Sequence, residues 1–255
     1  MCPVTAVDPE GTARKSERML YWTMKVSLTP VFHALWKVRV EDRDRVPTSG
    51  PVILAPNHRS FMDSMFLPLV VKRRVTFVAK AEYFDSWKTK WFFQGAGQIP
   101  IRREGGSASE RALDTARSVL NAGGVLGIYP EGTRTRDGFL HRGHTGVARL
   151  ALETGAPIVP VGLIGTDEVQ GTDSKRPNLF RTVRVRFGEP LDLSRYAAGD
   201  VDRLVLRNIA DELMYEIQLL CGYEYRDTYA TRTADDLPAE AARVASYEDA
   251  RLLTA

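Results

Sequence analysis

Cysteine is almost absent from this 255-residue chain: Cys2 and Cys221 are too few for a disulfide framework, which points to a reducing compartment. An apolar leader is missing as well, because the first eighteen residues lack the hydrophobic run of a secretory signal. A strong charge of one sign is also missing. The formal net charge is only +3, and three Arg against six Asp/Glu from Asp227 onward leave that tail at −3 and residues 1–226 at +6. A mildly basic body suits anionic lipids or phosphorylated ligands and gives no nucleic-acid footprint. No repeat and no linker divides the middle. With 44% hydrophobic residues the chain can bury one sizeable core. The expected organisation is an N-terminal tail and helix over 1–38, an α/β domain over 39–226 and a loosely ordered tail over 227–255.

Residues 19–38, MLYWTMKVSLTPVFHALWKV, are apolar without making a membrane span, since Lys25, Pro30 and His33 interrupt them. On a helical wheel Leu20, Met24, Leu28, Val31 and Leu35 share one face, and Lys25, Thr29, His33 and Lys37 share another. Two readings stay open: an amphipathic helix lying in an anionic membrane interface, or a terminal helix packed on the protein's own core. Pro30 is expected to kink or split it.

Beyond this point strands and helices alternate. Strands are expected at Lys37–Glu41, Pro51–Ala55, Val75–Ala79, Gln98–Ile101, Val125–Tyr129, Ile158–Ile164 and Thr182–Phe187. Helices are expected from about Ser60 to Val70, over Tyr83–Phe93, from Ser107 to Asn121 behind a Ser107/Glu110 capping box, over Thr145–Thr154 and over Asp202–Leu220. The succession predicts an α/β fold with a mixed, largely parallel sheet flanked by helices. In such sheets ligands gather at the carboxyl ends of strands. Those ends carry the chain's most unusual residues: Asn57-His58-Arg59-Ser60-Phe61-Met62-Asp63, the Arg102-Arg103 pair, and Pro130-Glu131-Gly132-Thr133-Arg134.

With Ser60 as N-cap, Asp63 becomes the third helical residue, and its carboxylate folds back toward His58. A carboxylate that fixes the tautomer and orientation of an imidazole makes it a general base. The bland reading is a capping pattern beside an idle histidine. Gly132 permits a close backbone approach, Arg134 suits a phosphate, and Glu131 can brace neighbouring groups. Arg102, Arg103 and Lys80 add cations at strand ends, each of which taken alone is an ordinary surface charge.

Together these motifs resemble the 1-acylglycerol-3-phosphate acyltransferase family of glycerolipid acyltransferases. Four blocks stand in the family's order: His58 to Asp63, Gly97 to Arg103, Glu131 to Arg134, and Ala156-Pro157-Ile158-Val159-Pro160-Val161. Lys80 falls where the family commonly has a lysine, whereas Pro100 stands where many members have an aromatic residue. The resemblance covers roughly Val38 to Pro190. It implies acyl transfer from acyl-coenzyme A or acyl-carrier protein to a lysophospholipid, lysophosphatidic acid by default. Glycerol 3-phosphate, another lysophospholipid or a glycolipid stays open as acceptor. It further implies that His58 deprotonates the hydroxyl, that Asp63 orients His58, and that Arg103, Arg134 and Lys80 hold the acceptor phosphate. Asn57, Glu131, Gly132 and Thr133 support them. No metal or cofactor is implied, and the expected location is the cytoplasmic face of a membrane, peripherally bound.

Rival classes leave weaker traces. Gly138 to Thr145 nearly spells a phosphate-binding P-loop, but His144 stands in the lysine position and no strand precedes it. A metal site built on His58, Asp63, His141 and His144 lacks the flanking cysteines or carboxylates of a zinc centre. The Gly-x-Ser-x-Gly elbow of serine hydrolases is absent. A lipid-binding module without turnover remains the non-catalytic alternative.

Overall fold

Short runs rich in Val and Ile, each closed by a turn signal, build the frame of the protein. The structure, a computed structural model, describes residues 15–80, 98–101, 108–174, 176–196 and 202–231. The helix expected over Tyr83–Phe93, the capping residue Ser107 and the pair Arg102-Arg103 lie outside these residues. Nine strands are described: β1 (Lys37–Glu41), β2 (Val52–Pro56), β3 (Val75–Lys80), β4 (Gln98–Ile101), β5 (Val125–Gly127), β6 (Leu140–His141), β7 (Ile158–Ile164), β8 (Thr182–Phe187) and β9 (Tyr225–Arg226). Seven of them form one sheet in the order β1-β8-β7-β2-β5-β3-β4, and β6 pairs with β9. Strands β2, β3, β4, β5 and β7 are parallel, β8 is antiparallel to β7, and β1 is parallel to β8. This is the expected mixed, mostly parallel sheet. The carboxyl ends of its five parallel strands therefore share one edge with the amino ends of β1 and β8.

Every residue of β2 is buried, as a strand covered on both faces requires. Its side chains alternate between two cores. Val52 and Leu54 join Phe66, Val159 and Val185, while Ile53 and Ala55 join Leu126, Ile209 and Leu213. Helices α1 (Lys15–Leu35) and α2 (Asp63–Val70) cover the first core. Helices α3 (Ala108–Asn121), α4 (Gly146–Thr154) and α6 (Arg203–Cys221) cover the second, and α5 (Thr166–Val169) is a single turn after β7. In α6 the buried residues Ile209, Leu213 and Ile217 recur every fourth position, and each stabilises the fold by about 1.5–3 kcal/mol relative to exposure. Asp202 starts this helix by accepting the Val205 N–H, and Gly222 ends it at φ 75°.

Helix α1 is one element with Pro30 inside it, so the proline does not split it. Its faces are also rotated from those expected. Tyr21 is buried and Phe32 and Leu35 pack on the first core, while Met19, Trp22, Val26 and Val31 are exposed. Lys25 turns inward, with its amine on the carbonyl of Val71 just past the end of α2. A helix C-terminus favours such a cation. Burial, with the nearby Arg43 charge, still lowers the Lys25 pKa to about 8. Apolar side chains ring most of α1, so a wheel alone could not choose the inward face.

Candidate active site

The loop after β2 turns on hydrogen bonds that its own sequence supplies. The Ser60 hydroxyl accepts the Met62 N–H, and Asp63 Oδ2 accepts the N–H groups of Arg59 and Ser60, each at 2.8 Å. Ser60 and Asp63 thus bond reciprocally as a capping pair does, but the N-cap of α2 is Met62, with no side-chain cap, and Asp63 is the first helical residue rather than the third. The first turn is tight, with Asp63 and Ser64 bonding three residues back, so regular α2 begins at Asp63 rather than Ser60. The same Asp63 Oδ2 lies 2.9 Å from Nδ1 of His58. Asp63 is fully buried, while the His58 side chain keeps 15% exposure. One carboxylate oxygen thus gathers two amides and an imidazole, and the imidazole alone of the pair reaches the surface.

Three further contacts hold His58. Glu131 is buried and bridges two strand ends: Oε2 accepts the His58 N–H at 2.9 Å and Oε1 the His141 N–H at 3.0 Å. Burial pushes its pKa up to about 7, although both amides and the neighbouring His141 favour the charged form. The His58 carbonyl accepts the Thr135 N–H at 2.9 Å. The His58 ring also stacks on Tyr129, with centroids 3.6 Å apart and planes 13° apart. Tyr129 bonds Ser64 Oγ at 2.8 Å, and Phe77 backs it at 5.4 Å. Gly127 makes room for this support, since a methyl there would overlap the Phe77 ring. Burial first, and then the Asp63 charge, raise the Tyr129 phenol well above its usual range.

Asn57 has a structural place. Its amide donates to the Leu163 carbonyl and accepts the Leu163 N–H, extending the pairing of β2 with β7 by side chain. Gly132 adopts φ 72° in the turn closed by its N–H on the Tyr129 carbonyl, which ends β5 at Gly127 rather than at Tyr129. His144 covers this glycine closely. Thr133 is half-buried beside it. Arg134 is also half-buried, with Nη1 3.2 Å from the Thr172 carbonyl. The backbone of Lys80 closes β3, in register with Ile101 at the end of β4. Arg103 lies outside the described residues. The strand order β2-β5-β3 thus sets His58, the Glu131–Arg134 turn and Lys80 side by side along one edge.

Sequence reasoning passed over two features. Tyr129 was legible as an aromatic residue at the carboxyl end of a strand, directly before Pro130. Asp137, four residues before His141, supplies a carboxylate beside the His141/His144 pair. It pairs with His141 Nε2 at 2.9 Å, while Nδ1 faces Thr228. His141 therefore serves a buried pair of its own, and its pKa is raised despite burial, chiefly by the bond to Asp137. His144 stacks on Tyr229 instead. Among the described residues no three His, Cys, Asp or Glu side chains gather as a metal site.

Residues 37–164, half of the chain, match the acyltransferase family. The chain belongs to that family. Among its curated relatives is a chloroplastic 1-acyl-sn-glycerol-3-phosphate acyltransferase of Arabidopsis thaliana, 27% identical over 64% of this chain and 46% of its own length. The Bacillus subtilis 1-acyl-sn-glycerol-3-phosphate acyltransferase is 28% identical over 63% of this chain and 76% of its own. The chain spans about half the length of the plant relatives that it matches. The fold is that of the solved 1-acyl-sn-glycerophosphate acyltransferase of Thermotoga maritima, with a TM-score of 0.64, 23% identity and 83% of each chain covered. The match to the acyltransferase family encloses both the His58–Asp63 pair and the Glu131–Arg134 turn.

Proposed function

We propose that this chain transfers a fatty acyl group from an acyl thioester to the free hydroxyl of a lysophospholipid, foremost lysophosphatidic acid, to give phosphatidic acid. The observation that carries this reading is the pairing of a surface-reaching imidazole with a fully buried carboxylate. With Nδ1 donating to Asp63, Nε2 is the proton acceptor, a tautomer assigned from that bond. The acceptor's hydroxyl proton passes to Nε2 as its oxygen attacks the thioester carbonyl carbon. The carbon–sulfur bond then breaks, and the thiolate leaves with the proton returned from Nε2. The electron-rich face of Tyr129 favours the positive charge that the imidazole carries in between. Arg134, with Arg103 and Lys80, holds the acceptor phosphate. The chemistry needs no acyl-enzyme, metal or cofactor, and the donor carrier is coenzyme A or acyl-carrier protein.

The acceptor lives in a bilayer, so the enzyme works peripherally at a cytoplasmic membrane face. No helix of the described residues is long and apolar enough to cross a membrane. What supports contact with a membrane surface is that α1 leaves Met19, Trp22 and Val26 exposed.

The test is release of free thiol from acyl-coenzyme A and acyl-carrier protein thioesters, with and without lysophosphatidic acid. Release that depends on the lysolipid is expected. Release that depends only on glycerol 3-phosphate or a glycolipid would move the acceptor. No release from either donor would leave a lipid-binding module.

A further inference from the structure

Between α5 and β8, residues 170–174 and 176–181 run along the edge that holds His58. The Gln170 carbonyl accepts the Ser60 hydroxyl at 2.7 Å, and Thr172 Oγ1 donates to the Thr135 carbonyl at 3.2 Å. The segment ends in the sequence Arg176-Pro177-Asn178-Leu179-Phe180-Arg181, where β8 starts at the same edge. Its tip is apolar and open: Leu179 is 46% exposed and Phe180 72%. Phe180 also holds a left-handed backbone at φ 61°, which is unfavourable for an aromatic residue and marks a conformation imposed by its surroundings.

The imposition comes from hydrogen bonds on both sides of the tip. Asn178 donates its N–H to the Val169 carbonyl and its amide to the Glu168 carbonyl, and its own carbonyl accepts Trp36 Nε1 at 2.7 Å. The Phe180 N–H donates to the Leu35 carbonyl at 2.7 Å, and the Arg181 carbonyl accepts the Lys37 N–H. The loop is therefore anchored to the end of α1 and the start of β1, and its two apolar side chains are displayed rather than folded away.

The neighbouring charge is basic. Arg176 and Arg181 flank the tip and are exposed, and Lys37, Arg39 and Arg184 follow on the paired strands β1 and β8. Among the described residues none of these five forms an ion pair. The carboxylates nearby are already engaged, Asp167 by Arg59, Asp173 by Arg136 and Glu41 by Arg186, which leaves Glu168 exposed.

We propose that Leu179 and Phe180 form a membrane-inserting tip, ringed by Arg176 and Arg181, that seats the His58 edge of the sheet on an anionic bilayer. An apolar pair suits the acyl boundary and the arginines suit anionic headgroups. The proposal rests on the reading that the acceptor is a bilayer lipid, and adds which surface of the protein meets it. The tip and the end of α1 that anchors it lie on the edge where the acceptor hydroxyl must arrive, whereas Tyr21 and Lys25, farther back along α1, bond Val75 and Val71, at and before the start of β3.

The experiment is co-sedimentation of the full chain with phosphatidylglycerol/phosphatidylcholine vesicles, with no donor or acceptor present. The variants are Phe180→Gly, the double change Leu179→Asp/Phe180→Asp, and Arg176→Glu/Arg181→Glu. Each should lower vesicle partition about tenfold, and high salt should add little to the loss in the charge-reversed pair. Phe180→Gly should also raise the thermal midpoint, because glycine accepts the left-handed backbone freely. An aromatic ring that served packing would show the opposite pair of signs. Partition unchanged in Phe180→Gly and in the double Asp variant overturns the proposal. So does, in thiol-release assays of the same variants, a loss confined to acyl-carrier-protein thioesters, which would make the tip a protein-docking site. If the tip governs partition but the chain acylates only soluble acceptors, insertion stands and the lysophospholipid reading falls.

Discussion

The imidazole of His58 lies flat on the phenol of Tyr129, centroids 3.6 Å apart, while Asp63 holds its Nδ1 at 2.9 Å. The two contacts fix different freedoms: the carboxylate sets the tautomer and the ring sets the plane. Tyr129→Phe keeps the stack and loses the bond to Ser64, so turnover should stay near that of the unmodified protein at a stability cost of about 1 kcal/mol. Tyr129→Leu removes the flat surface and, if His58 is the base proposed above, should lower turnover at least about tenfold by misplacing its imidazole. Equal turnover in the Leu variant would reduce Tyr129 to packing.

His58→Ala should lower turnover about a hundred- to ten-thousand-fold with the fold intact, since a partly exposed turn imidazole contributes little packing. Asp63→Asn should be as severe for turnover and should also lower stability by about 1–3 kcal/mol, because the fully buried carboxylate also holds the amides of Arg59 and Ser60. Turnover and denaturant midpoints of both variants give the comparison. Near-normal turnover in both would end the general-base mechanism.

Much of this site was legible in the sequence because it is local. Ser60 and Asp63 bond reciprocally within four residues, and a tight turn just before α2, rather than the helix itself, returns Asp63 to His58. The strand-end placement of Glu131 and Arg134 followed from the alternation of elements. What the sequence could not supply is contact between distant segments: the Tyr129 ring under His58, the Glu131 bridge to His141, or the inward turn of Lys25 onto Val71. The inward face of α1 was legible only in part for the same reason: Leu20, Met24, Leu28 and Leu35 are half-buried, but Lys25 and Thr29 turn inward beside them and Val31 turns out, because a helix apolar on most sides is oriented by its neighbours and not by its own pattern.

Glu131 makes stability depend on pH in a direction opposite to that of a salt-bridged carboxylate. Its folded pKa of about 7 lies above its ordinary 4.5, so between these values the folded state holds a proton that the unfolded state has lost. Stability is then fully supported below about pH 4.5 and falls as the pH rises through 7. Glu131→Gln should remove this component. Chemical denaturation of both proteins at several pH values should show the unmodified protein losing stability relative to the variant between pH 4.5 and 7. A constant difference would mean that Glu131 is ionised throughout. The variant should also turn over more slowly, because the His58 and His141 N–H groups bond different oxygens of Glu131, and glutamine would turn an NH2 donor toward one of them.

Arg134 tests the phosphate. Its guanidinium already bonds the Thr172 carbonyl, which leaves other N–H groups to reach an acceptor. Arg134→Ala should raise KM for lysophosphatidic acid about tenfold or more and change the use of monoacylglycerol far less, and Lys should rescue only partly. Equal losses on phosphorylated and neutral acceptors would assign Arg134 to holding the Thr172 loop.

Helix α1 separates core from surface within a few residues. Leu35 is half-buried against the first core, so Leu35→Asp partly desolvates a charge there and should lower stability by about 2–5 kcal/mol or prevent folding. Val26 is 71% exposed, and Val26→Asp should change stability by no more than about 0.5 kcal/mol. If α1 also touches the bilayer, Val26→Asp should weaken vesicle partition while the circular dichroism spectrum and thermal midpoint stay unchanged. That outcome would give the protein two apolar contacts, one along the outward face of α1 and one at the edge holding His58. Unchanged partition in Val26→Asp would assign α1 to the fold alone and leave membrane attachment to surfaces nearer His58.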